Sequence, residues 1–348
     1  MTDFSQLEQQ IQARLPDLPS DLQQRIAQIP LGKVATYGRI AQSLGDRLAS
    51  RWIGDWLLRS PLATTIAAHR VVRAGGELGL FHTGSSVDKQ RLLTAEGVAV
   101  VNDRVDLSEY EFSDFAGSAP LTDLREWQNQ LAAQNRLNSL ARRPELVAGL
   151  DISYHGDEGV VAYVLFDYGS RELVWSHLAR RPVFFPYITS YLSYRELPLH
   201  LAVLAEAAQA HRLADVLLVD GSGVLHPRRC GIASMLSALT GLPTIGVTKK
   251  HLSGSFSAND LSTERFCDLR VASEDGSTKW GAAILPTKKT KRPIFVSPGG
   301  SVDFDDAEAI CAHFMVGKRL PTPIAAADHL SRQAASGETN RGGRAREQ

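Results

Sequence analysis

The sequence predicts an α/β protein in two parts: a small helical, winged-helix-like domain, then a larger mixed sheet flanked by helices. Three observations carry this. At 348 residues the chain is long for one hydrophobic core, so two domains are the default and one large α/β domain the competitor. The apolar pattern changes near residue 140 from helical spacing to strand-like runs. A polar stretch without periodicity, NDRVDLSEYEFSDFAGSAPLTD, separates the two regimes.

In the first part, residues 5–28 read as amphipathic helix broken at Pro16 and Pro19. LGKVATYGRIAQSLG has a turn at Gly32 and then Ile40, Ala41 and Leu44 at helical spacing. ASRWIGDWLLRSP repeats the pattern with Trp52, Ile53, Trp56 and Leu57, and Pro61 ends it. TTIAAHRVVRAGGELG, β-branched and closed by Gly-Gly, predicts a hairpin or wing. VDKQRLLTAEGV is a last helix stopped at Gly97. These elements place a compact module at 1–103 and a linker at 104–117.

The second part opens with helical pattern from Leu121 to Leu140. LVAGLDISY, GVVAYVLFDY and ELVWSHLARRP then predict an antiparallel meander of three strands. A helix from Ser190 to His211, the strand DVLLVDGSG, a helix from Cys230 to Leu239 and the strand PTIGVTKK follow. Three antiparallel strands and then alternating helix and strand is the order of a ribonuclease H-like sheet. Strands at WGAAIL and PIFVSPG and a helix at 305–316 complete a domain at 118–322. The tail, 323–348, rich in Ala, Ser, Arg and Gly, is expected to be disordered.

Basic and acidic residues both number 38, so no global basic footprint marks a nucleic-acid binder. Contact with nucleic acid must come from local patches, and two exist: His226-Pro227-Arg228-Arg229 and Lys288-Lys289-Thr290-Lys291-Arg292. The second reads equally well as a solvated turn between strands. The three cysteines, Cys230, Cys267 and Cys311, lack the spacing of a zinc cluster or disulfide framework. The N-terminus is polar and acidic, and no apolar run approaches the ~18 residues of a membrane span. A cytoplasmic protein with no membrane partner is expected, and the lack of heptads favours a monomer.

Asp151 lies near the end of the first predicted strand, Asp220 ends LLVD, and Glu196 is near the start of the intervening helix. If the first and fourth strands are neighbours, the two aspartates lie side by side and Glu196 reaches them. Taken singly, such acids commonly cap turns. Three converging carboxylates repel unless a hard cation such as Mg2+, or Mn2+ as the alternative, cancels their charge. Such a site can activate water and stabilise the leaving oxygen of an in-line phosphodiester displacement.

VAGLDISY, FPYITSYLSYREL, LLVDGSGVLHPRRCGIAS and TIGVTKK, in this order over 118 to about 320, resemble the endonuclease V family. The resemblance implies a magnesium-dependent nuclease that recognises deoxyinosine in damaged DNA and nicks on its 3′ side, with inosine-containing RNA as an alternative substrate. It implies Asp151, Glu196 and Asp220 as metal ligands and Lys249 as the catalytic lysine that steadies a phosphate or the attacking water. Pro186, Tyr187 and Ile188 match the family's wedge, with Thr189 where a proline is usual; read alone, Tyr187 is a loop tyrosine packed on the domain. An aromatic ring there can replace stacking lost when a base is flipped. Gly221, Gly223 and His226 match loop residues near the base pocket. The family's Gly-His-Arg near the last strand is replaced, Gly300 standing for the histidine and Ser301 for the arginine. The resemblance assigns that histidine to support of the metal site. Slower cleavage, or a lesion-binding protein with an impaired nuclease, is the competing expectation, with Asp303 as a substitute only if the loop is rearranged.

IPLGKVATYGRIAQSLG, SRWIGDWLLRSP, IAAHRVVRAGGELG and LLTAEGV resemble the DNA-binding domain of O6-alkylguanine-DNA alkyltransferases, over 25 to about 100. Those enzymes carry Pro-Cys-His-Arg, whose cysteine accepts the alkyl group. Here Ala67 and Ala68 replace Pro-Cys, and the first 229 residues contain no cysteine. The resemblance therefore narrows to alkyltransferase-like proteins, which bind O6-alkylguanine without repairing it. It implies that Tyr37 rotates the nucleotide, Arg51 fills the gap in the stack, Ala68 leaves room for the alkyl group, and His69 and Arg70 remain as pocket architecture. By residue type alone, Arg51 reads as a surface arginine and His69 as a core histidine. After the wing, LFHTGSSVDK departs from the usual pocket rim.

Overall fold

The computed structural model describes residues 2–337 apart from 265, 274, 275, 288, 289 and 291. It divides into a smaller unit, Pro16–Trp127 with Phe185–Tyr191, and a larger one holding the remaining described residues. The first helix, α1 (Phe4–Arg14), starts at Asp3, whose carboxylate accepts from the Gln6 N–H. It buries Phe4 and Ile11 and belongs to the larger unit, so the first fifteen residues are not part of the N-terminal module as expected.

In the smaller unit α2 (Leu18–Ala27) is capped by Asp17 and carries Pro19 in its first turn, where a missing N–H is harmless. β1 (Ala35–Thr36) leads into α3 (Tyr37–Ser43), which Thr36 caps. α4 (Ser50–Arg59) turns Trp52, Ile53 and Leu57 inward. β2 (Val71–Val72), preceded by a 3-10 turn at Ala68–Arg70, pairs parallel with β1, and the chain then reverses over the expected Gly-Gly turn, where the Arg73 N–H donates to the Glu77 carbonyl at 2.8 Å. After α5 (Ser86–Ala95), β3 (Val100–Val101) and β4 (Arg104–Val105) form a short hairpin, followed by α6 (Leu107–Tyr110).

Val34, Val72, Leu78, Leu93, Val98 and Val105 form a core of this unit. The stretch 104–117, expected as a linker, is built into the unit. Val105 is buried, the Val34 N–H donates to the Tyr110 carbonyl, and the Phe112 N–H donates to that of Val34. Backbone pairing holds this segment, which its polar side chains could not reveal.

α7 (Pro120–Gln134) precedes the larger unit's meander of β5 (Leu146–His155), β6 (Glu158–Asp167) and β7 (Leu173–Pro182), antiparallel as expected. α8 (Leu192–Gln209), β8 (Val216–Asp220), α9 (Ile232–Thr240) and β9 (Thr244–Thr248) follow. Next come α10 (Ala258–Glu264), β10 (Phe266–Ser273), β11 (Gly276–Ile284) and β12 (Ile294–Gly300), of which α10 and β10 were not anticipated. The mixed sheet runs β10-β11-β12-β9-β8-β5-β6-β7, and β5 and β8 are parallel neighbours. α11 (Phe304–His313) and α12 (Thr322–Ala335) complete the unit.

α12 corrects the expectation of a disordered tail from 323. It packs on β5 and β6 and buries Pro323, Ile324, Ala327, Ser331 and Ala335. Residues 324, 327, 331 and 335 follow the helical period, and their small side chains allow close approach rather than strong hydropathy. A Cβ at Gly149 on β5 would overlap the Pro323 backbone. Lys288, Lys289 and Lys291 of the basic run lie outside the described residues. Among the described residues no helix is long and apolar enough to cross a membrane.

Candidate active site

The parallel register of β5 and β8 sets Leu150 opposite Val219, which brings Asp151 and Asp220 side by side where β8 ends, while β5 runs on to His155. α12 reaches this end from one face of the sheet: its Ser331 Oγ lies 2.9 Å from Ser153 Oγ and donates to Asp151 Oδ2 at 2.5 Å. Tyr154 points to the other face by strand alternation, and its hydroxyl donates to Glu196 Oε1 of α8 at 3.0 Å. Asp328 enters from α12, and Asp151, Asp220 and Asp328 each place an oxygen within 4.8 Å of the others. Asp328 was not singled out from the sequence because it lies in the tail read as disordered. The helical period of that tail was the signal available.

Burial pushes the Asp151 carboxyl up to about 7, with the Ser331 hydrogen bond opposing and the Asp220 charge adding. Burial likewise pushes Glu196 up to about 8, Tyr154 opposing and Asp220 and Asp151 adding. Glu196 Oε2 is buried without a hydrogen-bond partner. Lys249, just past β9, donates to Asp220 Oδ2 at 3.3 Å and Asp328 Oδ1 at 3.0 Å. Burial would lower its ammonium, but the two carboxylates outweigh burial and raise it. Arg332 also donates to Asp328 Oδ1, at 2.7 Å.

All candidate ligands are carboxylate oxygens, the donor set of a hard divalent cation. A partnerless buried oxygen and carboxyls that resist ionisation alone both fit a cation such as Mg2+ or Mn2+.

The loop after Asp220 is packed against the sheet. A Cβ at Gly221 would overlap Ile232, and one at Gly223 would overlap the Pro298 carbonyl. The Gly223 N–H donates to Ser297 Oγ at 3.0 Å. His226 is buried and accepts from the Arg228 N–H at Nδ1, 3.2 Å away. In the segment Phe185–Tyr191, Phe185 and Ile188 are buried while Tyr187 is 56% exposed, so a free ring stands between two anchors, with Pro186 half-buried beside it.

Gly300 corrects a second expectation. It pairs with Thr244, whereas Asp220 pairs with Val247, three residues along β9 and so roughly 10 Å away. Position 300 therefore lies towards the opposite end of the strands from the acids, and a Cβ there would overlap Asn135 and Ser237. Asp303 caps α11, accepting from the Asp306 N–H at 2.9 Å, and does not substitute in the cluster.

In the smaller unit Tyr37 and Arg51 share the walls of a cleft of about 630 Å³ with Arg47, Arg73, Leu58 and Leu80. Burial raises the Tyr37 hydroxyl, with Arg73 opposing. Ala68, His69 and Arg70 are not among the residues lining that cleft. Ala68 is buried, His69 Nε2 lies 2.7 Å from Glu96 Oε1, and Arg70 donates to both Glu96 oxygens at 2.8 Å. Burial alone would raise Glu96, but the hydrogen bonds from Arg70 and His69 bring it down to about 2. Glu96, unremarked in the sequence, is thus the partner that the His-Arg pair serves.

Residues 126–329 match the family model described as Endonuclease V, and residues 19–98 match that of the 6-O-methylguanine DNA methyltransferase DNA binding domain. A bifunctional methyltransferase/endonuclease of Picrophilus torridus is 34% identical over 239 residues, 69% of this chain and 76% of that protein. An endonuclease V of Geotalea uraniireducens is 38% identical over 212 residues, 61% of this chain and 87% of its own length. The catalytic domain of human endonuclease V superposes with a TM-score of 0.57 at 26% identity, covering 64% of this chain and 98% of that one. Endonuclease V of Ciona intestinalis, solved with a 24mer DNA containing an inosine followed by a ribo-adenosine, gives 0.56 at 26% identity, covering 64% and 100%.

Proposed function

The chain belongs to the endonuclease V family and carries an alkyltransferase-like DNA-binding domain ahead of its nuclease, and from this we propose that it nicks DNA 3′ to deoxyinosine with a divalent cation, Mg2+ or Mn2+. The observation that carries the reading is the convergence of Asp151, Asp220 and Asp328 beside the partnerless Oε2 of Glu196. These four residues would hold the cation. When bound, it supplies water activation and charge stabilisation at the phosphate.

Lys249, already shared between Asp220 and Asp328, offers an ammonium to a phosphate oxygen. Tyr187, exposed between buried neighbours, would fill the space left by an extruded base. In the larger unit the packed loop of Gly221, Gly223 and His226, at the carboxyl end of β8, would meet a base edge. In the N-terminal domain the cleft of Tyr37 and Arg51 takes an O6-alkylguanine-type lesion without alkyl transfer, since no cysteine precedes Cys230. Holding one module at a lesion raises the effective concentration of the other. The protein acts as a cytoplasmic monomer in this reading. Inosine-containing RNA is the second substrate to compare, because the Ciona relative was solved with a ribonucleotide after the inosine.

The test is cleavage of a labelled duplex carrying one deoxyinosine, with Mg2+, by wild type, Asp151→Ala and Glu196→Ala. A 3′ nick that both substitutions abolish supports the reading. Intact DNA under saturating binding overturns it and leaves a lesion-binding protein.

A further inference from the structure

Tyr154 lies three residues beyond Asp151 on β5 and faces α8 rather than α12. Its ring is partly exposed, and the Arg195 guanidinium sits 4.4 Å from its centroid. Its hydroxyl donates to Glu196 Oε1, while Oε2 of the same carboxyl is buried without a partner. The terminal torsion of a glutamate is broad and two-fold, so its two oxygens exchange places unless a neighbour distinguishes them. A donor on one oxygen does so.

We propose that Tyr154 is a positioning residue: its hydroxyl fixes Oε1 of Glu196 and so presents Oε2 as the oxygen that Glu196 offers a divalent cation. The inference rests on Glu196 being a ligand. Loss of the hydroxyl keeps the ring beside the Arg195 guanidinium but removes its hydrogen bonds to Glu196 and Arg195, which frees the carboxyl to turn. The cation site then loosens while the DNA-facing residues stay as they are. Donors behind a ligand typically govern about 10-fold or more in metal affinity.

The experiment is Mn2+ binding to the full-length, metal-free protein, followed by the electron paramagnetic resonance signal of free Mn2+, for wild type, Tyr154→Phe and Glu196→Ala. Tyr154→Phe is expected to weaken Mn2+ about 10-fold. Its secondary structure by circular dichroism and its cation-free affinity for a deoxyinosine duplex should match wild type, and its cleavage defect should be larger at limiting than at saturating Mn2+. Unchanged Mn2+ affinity in Tyr154→Phe, with weakened affinity in Glu196→Ala, overturns this inference alone. Unchanged affinity in both variants, or no Mn2+ binding by wild type, removes Glu196 as a ligand and the inference with it.

Discussion

Ser331 Oγ donates to Asp151 Oδ2 at 2.5 Å although 180 residues separate them in the chain. The bond ties the last helix to the first strand of the nuclease sheet, one turn after Asp328 on that helix. The C-terminal segment is therefore part of the site as well as of the fold.

Replacing Asp328 by alanine should reduce cleavage of a deoxyinosine duplex by about 100-fold or more, since it removes one of three converging carboxylates. Melting temperature should change little, because relief of the repulsion on Asp151 is offset by loss of the Lys249 and Arg332 ion pairs. Cleavage at the wild-type rate would exclude Asp328 from the cation site.

Gly149→Ala should damage stability and activity together. The added Cβ overlaps the Pro323 backbone, so α12 must shift, at a cost of about 1–3 kcal/mol or more. Chemical denaturation and metal-dependent cleavage, measured on the same preparation, check this. A stable variant with full activity would show that α12 can move without displacing Asp328.

Asp151 and Glu196 retain protons up to about 7 and about 8 in the folded, cation-free chain, above the ordinary carboxylate range. In that window the folded state binds more protons than the unfolded, so these groups make stability fall as pH rises from about 5 to about 8. A cation competes with those protons. Mg2+ should therefore raise the melting temperature more at about pH 8 than at about pH 6; equal shifts would contradict the assignment.

Glu96→Ala leaves Arg70 and His69, both largely buried, without their carboxylate and should destabilise the N-terminal domain by about 3 kcal/mol. Glu96 is held down at about 2, so its contribution is present above the ordinary carboxylate range and lost as pH falls towards that value. Thermal melts of wild type and variant at neutral pH and in acid should converge as pH falls. A variant as stable as wild type at neutral pH would sink the claim.

Arg51→Ala separates a lesion reader from a plain DNA tether. If Arg51 and Tyr37 form a lesion cleft, the variant loses preference for an O6-alkylguanine duplex over an undamaged one. An equal loss of affinity for both duplexes would instead make Arg51 a backbone contact.

The meander of β5 to β7 and the strands ending at Asp220 and Thr248 were legible because alternating or continuous apolar runs are local signals. So were the pairing of Asp151 with Asp220 and the missing cysteine beside His69. Less was legible where small or polar residues do the work. α12 is built on alanine, serine and proline, and 104–117 is held by backbone bonds to Val34. The parallel pairing of β1 with β2, each two residues long, is too short for periodicity to encode.

By itself the sequence determined two modules in order, a nuclease sheet with acids at its strand ends, and an alkyltransferase-like domain that has no thiol. Only the tertiary structure added Asp328 to Asp151 and Asp220, joined His69 and Arg70 to Glu96, and set Gly300 away from the acids. The physical reason is distance along the chain: hydrophobic periodicity specifies each element locally, whereas strand register and helix docking decide which remote charges meet.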